Sequence, residues 1–163
     1  AYGVLFDGAW LWEQYLATVL KPLGYEHPNN ITGSKRLYLF KNNRFPRYPD
    51  FIHKAKQIIL DAKYKNLDNK NNDDEQANKS YDRNDLHQLI AYMYISKANQ
   101  GGLIYPSQST GLCCDKEIGE LNGYGGRIFK IGVCIPKGAT DMNEFCITMH
   151  NTEIETRRIA AGQ

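Results

Sequence analysis

The sequence predicts an α/β fold, a mixed β-sheet flanked by helices. Three observations carry this. Helical periodicity recurs at both ends and in the middle of the chain. Between those stretches lie short apolar runs bounded by turn residues. The resulting order is helix, strand, strand, strand, helix, strand, strand, helix. With 163 residues, 42% of them apolar, the chain can build one domain around a real core.

The first helix spans Trp10 to Leu20, with Leu11, Tyr15, Leu16, Val19 and Leu20 as its apolar stripe. Asp7 or Gly8 is its cap, and Pro22 and Gly24 end it. Residues 25–34 carry turn formers and read as a loop. Arg36 to Phe40 reads as a strand. Phe51 to Lys63 reads as two strands around the polar tip Lys54-Ala55-Lys56. Asn66 to Ser80 holds almost nothing apolar, cannot offset its ordering entropy, and reads as a mobile polar loop. Asp82 or Asn84 caps the next helix, which runs to about Lys97 with Leu86, Leu89, Ile90 and Met93 facing the core. Gly102 to Tyr105 is a short strand. Residues 106–126, rich in Ser, Gly and Asn, read as a loop. Arg127 to Ile135 is a longer strand. Asp141 to about Ala160 is helical, with a break expected near Asn151 because Thr152 and Glu155 resemble a capping box.

The end of the hairpin carries the chemistry. Ile58-Ile59-Leu60 runs straight into Asp61 and Lys63, and charges at the edge of a core are costly unless paired or bound to metal. A turn centred between Ala55 and Lys56 sets Asp50 directly across from Asp61. Opposed residues of an antiparallel pair have Cβ atoms roughly 4.5–5.5 Å apart. Two carboxylates that close repel each other, and a divalent cation reverses the sign. Mg²⁺ favours one or two carboxylates plus waters and phosphate oxygens. Asp61 and Lys63 share a strand face, whereas Ala62 points into the core with Ile58 and Leu60. Lys63 can then hold an attacking water or stabilise charge growing on a phosphate. The bland alternative is a solvent-facing salt bridge, which predicts Asp50 and Asp61 far apart or on opposite faces.

Lys35, Arg36, Lys41, Arg44 and Arg47 lie in thirteen residues without an acid, immediately before Asp50. They suit a polyanionic substrate, or else form a solvated strand face. No run of eighteen apolar residues occurs, so no membrane span is expected, and no secretory signal is evident. Cys113, Cys114, Cys134 and Cys146 lack zinc-ligand spacing and read as reduced cytoplasmic thiols, with a structural zinc as the alternative. The chain begins at Ala1 and enters a helix almost at once, which reads as a fragment of a larger protein.

Gln88 and Tyr92 lie four apart on one face of the second helix, and Glu13 interrupts the first. Glu13, Pro49-Asp50, Asp61-Ala62-Lys63 and Gln88-x-x-x-Tyr92, in this order, resemble the PD-(D/E)xK nuclease superfamily. The glutamine–tyrosine helix is similar to its RecB-like branch. The wider text is similar to the C-terminal nuclease domain of McrC, the cutting subunit of McrBC methylcytosine-dependent restriction systems. That text comprises Leu5-Phe6-Asp7, Trp12-Glu13-x-Tyr15, Leu60 to Lys65, and Asp85-x-His87-Gln88-Leu89-x-Ala91-Tyr92.

The resemblance implies a restriction-endonuclease-like core forming a single nuclease domain. It implies that Asp50, Asp61 and the Ala62 carbonyl bind Mg²⁺, for which Mn²⁺ is expected to substitute. Lys63 would orient or activate the water, and Glu13 would complete the metal shell directly or through water. Gln88 and Tyr92 would position the metal site or the DNA backbone, with Lys35, Arg36, Lys41, Arg44, Arg47 and Lys65 on DNA. No G-x-x-x-x-G-K-[S/T] loop occurs, so energy coupling and methylcytosine recognition are expected in a McrB-like GTPase motor partner. Pairing with a second copy is one way to cut both strands. The competing readings are a RecB-like repair exonuclease and a non-catalytic DNA-binding or docking module on a nuclease fold.

Overall fold

The computed structural model describes residues 7–28, 32–68 and 83–162. Helix α1 spans Gly8–Leu20, and the Asp7 side chain caps it by accepting from the backbone N–H groups of Ala9 and Trp10. A 3₁₀ turn, Lys21–Leu23, follows and closes on Gly24 in the left-handed region. Strands β1 (Leu37–Tyr38) and β2 (Pro46–Arg47) form a small antiparallel pair. Then come β3 (Phe51–His53), β4 (Ile58–Ala62), α2 (Arg83–Ser96), β5 (Gln100–Ser107), β6 (Cys113–Glu120), β7 (Arg127–Cys134) and α3 (Met142–Ala160).

The main sheet has the order β3-β4-β5-β7-β6. β4, β5 and β7 run parallel, and β3 and β6 pair antiparallel at the two edges. The fold is thus α/β with a mixed sheet. Helices α1 and α3 cover one face, where Leu16, Leu20 and Ile159 pack on Ile58, Leu60, Ile104 and Ile131. Helix α2 covers the other, where Leu89, Tyr92 and Met93 pack on Ile59, Leu103 and Tyr105. Strand β4 alternates between the two cores, so both faces of the central parallel strands are apolar.

Gly101 and Gly102 sit near the start of β5 because the layers close in there. A Cβ on Gly102 would lie 2.6 Å from Leu60 Cδ2, and one on Gly101 would collide with Met93 of α2.

Several elements differ from the sequence reading. The segment 106–126 contains β6, an edge strand whose Asp115, Lys116 and Glu117 are exposed. Its identity comes from backbone pairing with β7, which leaves no apolar alternation to read. The Arg36–Phe40 strand shrinks to Leu37–Tyr38, since the chain turns back through Asn43 and Phe45, both at positive φ. β5 is longer than Gly102–Tyr105 at both ends. In α1, Leu11 is exposed, and Trp12 takes its place in the core with its indole N–H directed at the Ile104 carbonyl.

Helix α3 does not break near Asn151. Thr152 is fully buried and its hydroxyl donates to the Cys134 carbonyl, so it is a core contact and not a cap. Glu155 pairs with Arg158 instead of a backbone N–H. Asn84 lies inside the first turn of α2, and Asp82 falls outside the described residues. Residues 69–80 of the polar loop, and Leu5 and Phe6, also lie outside them. The described start of that loop is pinned: Leu67 is buried, and Asp68 accepts from Tyr105, Ser107 and the Gln108 N–H. Cys134 is buried, Cys113 half-buried and Cys146 exposed, all as free thiols. Among the described residues no helix is long and apolar enough to cross a membrane.

Candidate active site

The β3–β4 hairpin folds in the expected register. Phe51 pairs with Leu60, Ile52 with Ile59 and His53 with Ile58. Continuing by one pair places Asp50 beside Asp61 at the C-terminal end of β4. Ala62 packs with Ile58 and Leu60 against the α1–α3 core, and Asp61 lies on the opposite, α2 face. Asp50 Oδ2 accepts the Ala62 N–H at 2.7 Å, which ties the first carboxylate across the hairpin to the second strand. His27 Nδ1 contacts the Asp50 carbonyl at 2.7 Å and its ring stacks on Phe51, fixing the backbone from the loop side.

Lys63 extends β4 beyond its last ladder residue through its N–H bond to the Ile104 carbonyl. Its ammonium lies 2.6 Å from Asp61 Oδ2 and 3.4 Å from Asp85 Oδ1, and it donates to Gln88 Oε1 at 3.2 Å. Gln88 Nε2 in turn donates to the Tyr92 hydroxyl at 2.7 Å. The i, i+4 spacing on α2 therefore builds a relay from Lys63 through Gln88 to Tyr92. Asp61 is 2% exposed, and beyond the Lys63 ion contact its Oδ2 has no hydrogen-bond partner among the described residues.

The electrostatics follow from burial and crowding. Burial, then Asp61, then Glu13 push the Asp50 carboxyl well above its ordinary range, against the Ala62 N–H. Burial also raises Asp61, with Lys63 opposing it. For Lys63 burial pulls the ammonium down, but Asp61 and Asp85 outweigh it and the pKa is raised. Glu13 is raised chiefly by its own burial, with His27 opposing and Asp61 adding to it.

The structure thus gathers Asp50, Asp61, Lys63, Gln88 and Tyr92, with Glu13 close enough to be felt electrostatically. Asp85 and His27 belong to the same constellation, and the sequence reading gave neither a role in it, although Asp85 opens the stretch that carries the family resemblance. Asp85 had a usable signal, an acid three residues before Gln88 on the same helix face. His27 had none, since nothing local links a loop histidine to Asp50.

The basic set is more dispersed. Lys35 pairs with Glu26 at 3.6 Å, and Arg36 lies over the Tyr38 ring at 5.5 Å. Arg47 donates to the Pro46 carbonyl, and Lys41 and Arg44 are exposed. Lys65 is held by Asp85. A cavity of about 850 Å³ lies between the β1–β2 pair, the C-terminal half of α2 and the β6–β7 turn, and none of the site carboxylates lines it.

The family model of the McrBC 5-methylcytosine restriction system component matches residues 1–106, a span that includes both carboxylates, Lys63 and all of α2. The chain is also similar to a chain of a solved structure described as the refined half-complex from the tetradecameric assembly of Thermococcus gammatolerans McrB AAA+ hexamers with bound McrC. That likeness has a TM-score of 0.52 at 21% identity and covers 96% of this chain, which spans 34% of the length of that one. At this identity the match speaks for the fold. No curated protein matches the sequence. The resemblance to McrBC components read from the sequence is borne out: the chain belongs to the family of McrBC 5-methylcytosine restriction system components.

Proposed function

We propose that this domain is the Mg²⁺-dependent DNA endonuclease of a McrBC-type modification-dependent restriction system, a single nuclease domain that hydrolyses phosphodiester bonds when docked on a GTP-driven McrB-like motor in the cytoplasm. The observation that carries the reading is the convergence of Asp50, Asp61 and Lys63 at one strand end, with the Lys63 ammonium against Asp61 Oδ2.

The donor set suits Mg²⁺. A buried carboxylate, Asp61, and a half-buried one, Asp50, stand together, and among the described residues Asp61 Oδ2 meets the Lys63 ammonium alone. Among the described residues no three His, Cys, Asp or Glu side chains are grouped to hold a metal. A two-carboxylate site completed by water and phosphate is the Mg²⁺ pattern, unlike an all-protein zinc cage. Asp50 and Asp61 would hold the ion, with the Ala62 carbonyl beside them and Glu13 acting through water. Bound there, the cation supplies Lewis-acid polarisation of the phosphate and a more acidic water. Lys63, kept charged by its neighbours, stabilises negative charge developing on the phosphoryl oxygens. Gln88 fixes the Lys63 ammonium and is itself fixed by Tyr92. Lys41 and Arg44 are free to meet the DNA backbone, and a second copy of the domain supplies the cut in the other strand.

The test is cleavage of methylated, covalently closed circular DNA by the assembled system with GTP. Mg²⁺ or Mn²⁺ should support cutting and EDTA should stop it. Cutting of linear ends alone would favour a repair exonuclease, and metal-independent cutting would remove the reading altogether.

A pH effect accompanies it. Because Asp50 is raised above 3.8 in the folded protein, the native state holds a proton there that the unfolded chain releases. This group therefore costs the metal-free protein stability as pH rises from 3.8 through the raised native value. Compared by thermal melting in EDTA, Asp50→Asn should gain on the wild type as the pH rises above 3.8. Saturating Mg²⁺ should erase or reverse that gain. A pH-independent difference would show that Asp50 is not the buried, proton-holding partner.

A further inference from the structure

The Lys63 ammonium is the cation that Asp61 holds in the metal-free site. It sits 2.6 Å from Asp61 Oδ2, whereas Mg²⁺ ligands lie at about 2.0–2.1 Å. A divalent cation on Asp61 repels the ammonium and competes for the same carboxylate charge, so metal binding there weakens the hold of Asp61 on Lys63. The remaining groups in contact with its ammonium are Gln88 Oε1 and Asp85 Oδ1. Gln88 is neutral and already committed to Tyr92. Asp85 is, among the described residues, the other carboxylate within ion-pair distance.

We propose that Lys63 is the resident counter-cation of the metal-free site and that Asp85 is the positioning residue that receives it when a divalent cation takes Asp61. This rests on the reading that Asp50 and Asp61 bind such a cation.

The surroundings of Asp85 suit the role. It lies in the first turn of α2, where the unpaired N–H groups of the helix favour negative charge. It is 8% exposed, so its attraction for an ammonium is only weakly screened. Lys65 Nζ holds its other oxygen, which keeps Oδ1 turned toward Lys63. Lys63 and Lys65 both reach Asp85, one at each carboxylate oxygen. Asp85 thus carries a cation at all times, and Lys63 changes partner by side-chain rotation without exposing an uncompensated buried charge. The exchange leaves the ammonium beside the metal, where the reaction needs it.

Mn²⁺ binding to the full-length chain, followed by electron paramagnetic resonance without DNA, tests this independently of cleavage. Lys63→Met removes the resident cation and should tighten Mn²⁺ binding. Asp85→Asn removes the receiver and should weaken it by about tenfold, within the 5–150-fold range usual for coupled sites. In the Lys63→Met background, Asp85→Asn should have no further effect. An equal loss in both backgrounds means that Asp85 acts only through its field, and the proposal falls. It also falls if Lys63→Met leaves Mn²⁺ affinity unchanged or weaker, a result that does not depend on the folding of the Asp85 variant. If the wild type binds no Mn²⁺ that Asp61→Asn abolishes, the metal reading itself fails and takes this inference with it. Normal Mn²⁺ binding with no coupling between residues 63 and 85 overturns this inference alone.

Discussion

Asp61→Ala is expected to abolish DNA cleavage by the assembled system, with a rate loss on the order of 10³-fold or more. Asp61 is the more deeply buried of the two carboxylates at the strand end, and its Oδ2 carries the Lys63 ammonium beside which the proposed metal would sit. A catalytic metal supplies several kcal/mol of charge stabilisation, and every 1.4 kcal/mol or so is a decade in rate. Lys63→Ala should cost on the order of 10²–10³-fold, the scale seen when a preorganised charge-stabilising donor is removed. The two losses should not multiply in the double variant, because Lys63 touches Asp61 directly and the pair acts as a unit. Single-turnover cleavage with the GTP-driven partner present measures all three. Wild-type rates for Asp61→Ala would end the nuclease assignment. Fully additive losses would mean that the lysine and the aspartate work separately.

Leu60→Ala should be the most damaging core truncation in this region, lowering stability by about 2–5 kcal/mol. Leu60 is fully buried at the middle of β4, between the edge strand β3 and the central strand β5. It pairs with Phe51 and fills the space beside Gly102 that a Cβ would need. The packed neighbours on both sides, Phe51 in β3 and Phe129 in β7, leave little room for collapse into the cavity. For a domain of this size each kcal/mol is roughly 2–4 °C in melting temperature, so a drop of roughly 5–20 °C is expected. Leu11→Ala, a like truncation at an exposed helix position, should change stability by about 0.5 kcal/mol or less. Thermal unfolding of the two variants beside the wild type decides it, and equal melting temperatures would show that Leu60 is not the keystone of this layer. Loss of Leu60 should also lower metal affinity, since Asp61 is its immediate neighbour on the same strand.

The legibility of this chain follows the range of the interactions involved. The hairpin register was readable because it depends on a turn of a few residues and on strict alternation, both local. Asp50 and Asp61 could be placed side by side from numbering alone. The Gln88–Tyr92 pair was readable from helical spacing. By contrast, β6 has the composition of a loop, and only the open edge of β7 makes it a strand. The continuity of α3 was hidden because Thr152 looks like a cap until the sheet supplies the Cys134 carbonyl beneath it. Leu11 and Trp12 are both apolar, and their sorting into surface and core depended on where the sheet lay.

The sequence by itself determined the α/β class, the hairpin that sets two carboxylates against each other, and the acid–lysine pair at the end of an apolar strand. These rest on periodicities of two and 3.6 residues that act within one element. The tertiary structure alone decided the strand order β3-β4-β5-β7-β6, the separation of the two cores, and the three-way contact of Lys63 with Asp61, Asp85 and Gln88. It also decided that Asp85 belongs to the site at all. The reason is that α2 meets β4 across a segment of uninformative composition. Only burial of the apolar face of α2 on the sheet brings its first turn over the charges at the strand end.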